Sequence, residues 1–360
     1  MSRIRVGVVG CGHLGAIHAR LLSSRSDVEL VGVVDPCEGP RDALASSLCC
    51  EGFGKPEDLI GKAEAAIIAA PTGLHAPISL PLLKSGMDLL VEKPLASTVE
   101  DARAIVIAAR RYGRTVAVGH VERFNPAWTL AMEQVGKLVA VQSHRQAPFT
   151  FRSMDVGVVL DLMIHDIDLV LSLEPGRLEG IEAQGLVATG GHEDLVRARL
   201  SFSSGIIADL FASRIHPVLR RSFSLASTDG LVDIDFNEKT VTTMAPSSSV
   251  RDGSFVASDV PAEQRHAMKE SFFSEILPTC TETAAEANAI ACEHEDFLKS
   301  IRTGQAPTVP ASAGAAAIEI AGRVLDALVL SQFGASQTPM VVPINTELVV
   351  RSVIKNRKTG

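Results

Sequence analysis

The sequence predicts an α/β chain: a doubly wound parallel sheet at the N-terminus, then an α+β unit with a large, mainly antiparallel, open-faced sheet. Three observations carry this. Short apolar runs alternate with helical patterns over roughly the first third of the chain. A glycine-rich stretch, "VVGCGHLGAIHA", joins the first run to the first helix. From residue 178 onward, strand-like runs follow one another with only turns between them.

The runs "IRVGVVG" (Ile4–Gly10), "VELVGVVD" (Val28–Asp35), "AAIIAA" (Ala65–Ala70), "MDLLVE" (Met87–Glu92) and "TVAVGH" (Thr115–His120) are nearly continuous in apolar residues. Parallel strands covered on both faces read this way. The segment Thr98–Gly113 reads as a helix. It opens on an N-cap candidate, has acids in its first turn, and ends in Arg110, Arg111 and a glycine. Val121–Gly136 reads as a linking helix, and a second helix is expected from Asp155 to about Ser172. Strands are expected near 178–188, 195–203, 205–213, 220–227 and 230–236, parted by turns such as Thr228–Asp229–Gly230. Residues 246–285 are polar and irregular and read as a long loop or insertion. Helices near 286–303 and 311–331 precede a short tail.

Composition narrows the function. The 360 residues carry a net charge of −8, which argues against a general binder of nucleic acid or anionic membrane. No uninterrupted apolar stretch is long enough to span a bilayer. The N-terminus enters a strand pattern at once, without a signal-peptide pattern, so a cytoplasmic location with reduced thiols is expected. The six cysteines form no CxxC pair and no metal-ligand spacing, so no metal is expected. Cys49 and Cys50 read as two buried small apolar residues rather than a redox pair.

Gly10, Gly12 and Gly15 stand in GxGxxG spacing directly after a strand and at the opening of a helix. That context makes the stretch a Rossmann dinucleotide fingerprint. Gly10 permits the tight turn, Gly12 the close approach of a pyrophosphate, and Gly15 the helix–strand contact. His13 and Leu14 lie between them, at a helix N-terminus that attracts phosphate. Asp35 ends the second strand, where a carboxylate takes the adenosine ribose hydroxyls and repels a 2′-phosphate. NAD is therefore expected over NADP, although Arg41 and Lys55 are nearby cations that could accept a phosphate. Pro71, Thr72 and His75, after the third strand, and Glu92 and Lys93, at the end of the fourth, are further cofactor contacts. Residues 1–121 are thus expected to form the NAD-binding unit, 122–345 a substrate-binding and oligomerisation unit, and 346–360 a tail.

The stretch "VEKP" ends a buried strand on an acid, a base and a proline. Together with "GVVGCGHLGAIHA", "AAPTGLH", "GHVERFNPA" and "LDLMIHDIDLV", in this order, it resembles the glucose–fructose oxidoreductase/inositol dehydrogenase (Gfo/Idh/MocA) family. The resemblance covers most of the chain and is weaker over 240–285. It implies hydride transfer between a nicotinamide cofactor and a sugar or cyclitol hydroxyl. It also implies a catalytic set at Lys93, Asp161 and His165, and a cis Lys93–Pro94 peptide.

The chemistry is sensible on its own terms. A neutral histidine accepts the hydroxyl proton. A lysine stabilises the developing alkoxide. An aspartate holds a second hydroxyl, and Asp161 and His165 are four apart on one expected helix face. His120, at a strand's C-terminal end, and Asn125 are added as substrate contacts. So is Arg123, for which a linking salt bridge is the competing role. Asp168 reads as a capping or solvated residue, and His18 as a packed helix residue.

Within the family, "GHVERFNPA" and "LDLMIHDIDLVLSL" look most like members that oxidise C3 of a nucleotide sugar such as UDP-N-acetylglucosamine, upstream of an aminotransferase in lipopolysaccharide synthesis. Arg214, Arg220 and Arg221 would offer charge to a diphosphate, or are solvent-facing strand residues. An inositol or simple-sugar dehydrogenase is the alternative. A silent NAD-binding regulator would have lost one of the three catalytic positions. Family habit and the open sheet face imply a homodimer or homotetramer.

Overall fold

A computed structural model describes residues 3–332 except 152 and 155. The expected tail 346–360 lies outside the described residues, as does the end of the segment assigned to the second unit. The first sheet holds β1 (Ile4–Val9), β2 (Val28–Val34), β3 (Glu51–Phe53), β4 (Ala65–Ile68), β5 (Asp88–Glu92) and β6 (Val116–Gly119). All pair in parallel, in the order β3-β2-β1-β4-β5-β6. Helices α1 (His13–Ser23), α2 (Glu38–Leu48), α3 (His75–Lys84) and α4 (Val99–Tyr112) connect them. Val6, Ile67, Leu90 and Val118 are fully buried, as a sheet covered on both faces requires. The α4 boundaries follow local chemistry: the Thr98 hydroxyl accepts from Asp101 N–H, and Gly113 ends the helix at φ 61°.

Beyond α5 (Pro126–Met132) come β7 (Leu138–Gln146), a π-helical turn (Val159–Met163) and α6 (Ile164–Ser172). Then follow β8 (Leu178–Val187), β9 (Leu195–Phe202), β10 (Ile207–Ser213), β11 (Arg220–Ser227), β12 (Gly230–Asp235) and β13 (Thr240–Met244). Short helices α7 (Ser248–Arg251) and α8 (Arg265–Ser271) lead to β14 (Thr279–Thr283), α9 (Ala289–Thr303), α10 (Ala311–Asp326) and β15 (Leu328–Gln332). The nine strands of the second sheet run β14-β13-β12-β11-β7-β10-β9-β8-β15. Only β7–β10 and β8–β15 pair in parallel.

Several expectations change. The linking helix is a single 3₁₀ turn, Val121–Phe124, before α5. The second helix is regular only from Ile164 and follows the π turn. β7, at the centre of the second sheet, was not expected. It carries Ser143, Arg145 and Gln146 on buried positions, and an isolated strand cannot pay for these without partners elsewhere. β13 and β14 were also missed. The last apolar run does not extend α10 but pairs with β8. Cys49 is exposed at the left-handed end of α2 (φ 52°), and Cys50 is half-buried, so the pair is not a core dipeptide.

The C-terminal helices bridge the two sheets. Phe297 and Leu298 of α9 share a core with Val6, Val8 and Ile67 of the first sheet. The chain then reaches the edge of that sheet, where Val118 N–H donates to Val309 O at 2.9 Å. α10 packs against both α4 and α6. Among the described residues no helix is long and apolar enough to cross a membrane.

Candidate active site

The dinucleotide loop follows from three glycines. Gly10 has φ +102°, and a Cβ there would approach Ala69 O to 2.5 Å. A Cβ on Gly15 would overlap Gly10 O, so only glycine lets α1 lie this close to the loop. A Cβ on Gly12 would meet nothing within 4 Å. The exposed cradle formed by Gly12, His13 and Leu14 at the start of α1 thus has room for a diphosphate, with backbone N–H groups and the dipole directed at it. Asp35 braces this loop: one carboxylate oxygen accepts from Cys11 N–H at 2.9 Å and the other from Cys37 N–H at 2.8 Å. Each oxygen keeps a lone pair for a ribose hydroxyl. Arg41 is paired with Asp42 at 2.7 Å. Pro71 and Thr72 remain accessible just after β4. These residues fit a dinucleotide.

His75 and Glu92 have other employment. His75 is 1% exposed, with ring nitrogens 2.9 Å from Pro94 O and 2.8 Å from Ala70 O. It braces the turn after β5 instead of presenting a polar atom to a cofactor. The Glu92 carboxylate turns inward, 2.8 Å from His18 Nε2.

Lys93 leaves the end of β5, and its peptide bond to Pro94 is cis, as the resemblance implies. Its ammonium donates to the carbonyl oxygen of Asp161 at 2.7 Å and to Oδ1 at 3.3 Å. Asp161 lies on the π turn and His165 on the first turn of α6. A π turn shifts the facing of the residues before it relative to those after it, and such turns recur at functional sites. The His165 ring is partly exposed, its Nδ1 is buried with no partner among the described residues, and the His120 ring stands edge-on at 6.2 Å. Burial pushes the His165 pKa well below 6.5, and the charges of Lys93 and Arg145 push the same way. His120 is 1% exposed and also lowered, chiefly by burial. Both imidazoles are neutral at neutral pH.

Arg123 and Asn125 are held elsewhere. The Arg123 guanidinium forks onto Asp168, at 2.7 and 3.3 Å, and Asp168 is 1% exposed. Asp168 is therefore a buried ion-pair partner, not a cap or a solvated acid. Asn125 caps α5 through Ala127 N–H at 3.1 Å and donates to Glu122 at 3.1 Å. Arg214 is spent on Asp194 at 2.7 Å. Arg220 reaches Ser222 at 3.1 Å.

One feature escaped the sequence. Arg145 of β7 donates to Glu122 at 2.8 Å and to Asp166 at 2.7 and 3.0 Å, all three buried. This network lies behind His165. Glu122 and Asp166 sit inside the motifs "GHVERFNPA" and "HDID", but no local pattern marks Arg145 as their partner. Arg221, opposite Arg145 in register, shares the same inner face and has no ion-pair partner among the described residues.

A parallel nucleotide-binding sheet whose C-terminal edge meets a lysine, an aspartate and a neutral histidine defines a nicotinamide-dependent oxidoreductase. Comparison with known proteins agrees. The profile described as "Oxidoreductase family, NAD-binding Rossmann fold" matches residues 4–120, and the GFO/IDH/MocA C-terminal domain matches residues 128–233. The chain belongs to the GFO/IDH/MocA family and is an NAD-binding oxidoreductase. It is similar to UDP-N-acetylglucosamine 3-dehydrogenase of Acidithiobacillus ferrooxidans, with 30% identity over 84% of this chain and 90% of that protein. It is also similar to scyllo-inositol 2-dehydrogenase (NAD(+)) of Bacillus subtilis, with 27% identity over 60% and 68% of the two chains. A solved structure of the Acidithiobacillus enzyme superposes with a TM-score of 0.79 at 28% identity, covering 91% of this chain and 98% of that one.

Proposed function

We propose that this chain oxidises the C3 hydroxyl of a nucleotide sugar of the UDP-N-acetylglucosamine type to a ketone, with Lys93, Asp161 and His165 as its catalytic residues. The observation that carries the site is the Lys93 ammonium held on Asp161, 2.7 Å from its carbonyl oxygen, with neutral His165 on the next turn. The bound nicotinamide supplies the hydride acceptor. His165 takes the hydroxyl proton. Lys93 donates to the oxygen as negative charge develops there. Asp161 fixes the lysine and accepts from a second sugar hydroxyl. Gly12 and the α1 N-terminus hold the cofactor diphosphate.

The nucleotide-sugar reading is supported by the 30% identical relative and by Arg221, an exposed guanidinium on the inner face. A diphosphate matches that fork. A 3-keto product would suit an aminotransferase that installs an amine. On the outer face, Ala140, Ile207, Ala226 and Leu231 form one cross-strand row, which supports a face-to-face homo-oligomer.

The test is anaerobic incubation with NAD and a panel of nucleotide sugars and inositols, reading NADH absorbance and product mass together. A coupled aminotransferase pulls an uphill oxidation forward. A 3-keto nucleotide sugar supports the reading. Oxidation of inositols alone would replace the substrate, and no oxidation of any compound with the trap present would remove the catalytic assignment.

A further inference from the structure

The proposed reaction does not use a buried polar cluster beneath the cofactor helix. It joins His18 of α1, Glu92 at the end of β5, and Glu293 and His294 of α9. Their exposures are 0%, 8%, 2% and 1%. His18 Nε2 is 2.8 Å from Glu92 Oε1, and His18 Nδ1 is 2.7 Å from His294 Nε2. The other Glu92 oxygen accepts from the backbone N–H of Lys93 at 3.2 Å. Neither carboxylate oxygen of Glu293 has a hydrogen-bond partner among the described residues, although both are buried. A ligand atom from each of His18, Glu92 and Glu293 lies within 4.8 Å of the other two.

No Lys or Arg side chain forms an ion pair with Glu92 or Glu293 among the described residues. Two carboxylates are buried beside imidazoles, and no donor reaches Glu293. Buried carboxylates persist when they are paired, protonated or bound to a metal. The histidine pattern fits the third option. A metal-bound imidazole donates its second ring N–H to a neighbouring acceptor. His18 has that neighbour: with Nε2 on an ion, Nδ1–H would donate to His294 Nε2. His294 Nε2 lies 2.7 Å from His18 Nδ1, within reach of that proton. Ligands about 2.1 Å from a shared ion stand roughly 3–4 Å apart, and the three ligand atoms here lie within 4.8 Å of one another. One divalent ion would balance both carboxylates, and the nitrogen-plus-oxygen donor set suits zinc or manganese better than calcium or magnesium.

We propose that His18, Glu92 and Glu293 form a binding site for a divalent transition-metal ion that ties α9 to the cofactor helix and to the strand end carrying Lys93. The ion is structural: it sits behind Lys93 and holds the backbone from which the lysine projects. α9 already shares the first sheet's core through Phe297 and Leu298, and the ion adds a polar tie at the same contact.

The test uses the whole protein. Chelator-treated wild type is titrated with zinc and, separately, with cobalt(II). Metal content after gel filtration, melting temperature and the visible cobalt spectrum are recorded. The proposal expects about one ion per chain, a melting temperature several degrees higher with zinc, and cobalt bands from a nitrogen–oxygen site. Glu293→Gln should abolish the bands and make melting insensitive to zinc. A wild type that retains no ion and melts identically with chelator and with zinc would overturn the proposal. So would a Glu293→Gln protein that keeps the full complement, or one that melts above zinc-saturated wild type, which identifies Glu293 as a buried acid needing only a proton. The chelator arm reads the question even if the variant does not fold.

Discussion

At the scale of single residues, His165 is held neutral by burial first and by neighbouring cations second. It is therefore ready to accept a proton in neutral solution. His165→Ala is expected to lose roughly 10²–10⁴-fold in turnover, with the dissociation constant for NADH nearly unchanged, because the residue stands on α6 and the cofactor loop on α1. Stopped-flow turnover and fluorescence titration measure the two; near-normal turnover would move the base elsewhere. The same histidine shapes pH dependence. Its folded pKa lies below 6.5, so as pH falls through that value the unfolded chain takes up a proton that the folded chain does not. His120 and His294 act in the same direction. The three histidines therefore contribute a loss of stability as pH drops from neutral to about 5.5, and the raised carboxyl of buried Glu293 opposes it. In a Glu293→Gln protein, which lacks that opposing carboxyl, a melting temperature constant or rising over that interval, in buffers of matched ionic strength, would contradict the neutral assignment.

At the scale of elements, the loop between β1 and α1 and the end of β2 work as one unit through Asp35. The carboxylate that would meet the ribose also pins Cys11 and Cys37. Asp35→Ala is thus expected to have two effects: NADH binding weakens as the loop loses its brace, and the gap between NADH and NADPH narrows as the repulsion disappears. Paired titrations read both, and equal affinities for the two cofactors in the unmodified protein would refute the discrimination argument. This unit was legible in the sequence because each part is local, with glycines at fixed spacing and an acid closing the next apolar run. β7 was not legible. Its buried Arg145 looks like a surface residue until Glu122 and Asp166 arrive from other elements.

At the scale of the whole molecule, that ion network joins the start of the second unit to its central strand and to α6. Replacing Arg145 with methionine would leave two buried carboxylates without their cation. The expected loss of unfolding free energy is roughly 3–5 kcal/mol, measured by urea denaturation. A loss below about 1 kcal/mol would mean that the network is solvated.

The sequence by itself determined the parallel sheet and the dinucleotide loop, and the family resemblance carried by its short motifs implied the cis-proline turn and the three residues proposed for chemistry. Those features rest on short-range patterns: apolar period, glycine spacing and a motif of adjacent residues. Only the tertiary structure decided which polar residues were available. Arg123, Asn125, His75 and Glu92 each find a partner inside the fold, and no spacing along the chain announced those partners. The His18–Glu92–Glu293 cluster is the extreme case. Its members come from three distant segments, so no spacing along the chain could announce it, and it exists only because α9 returns to pack against the first sheet.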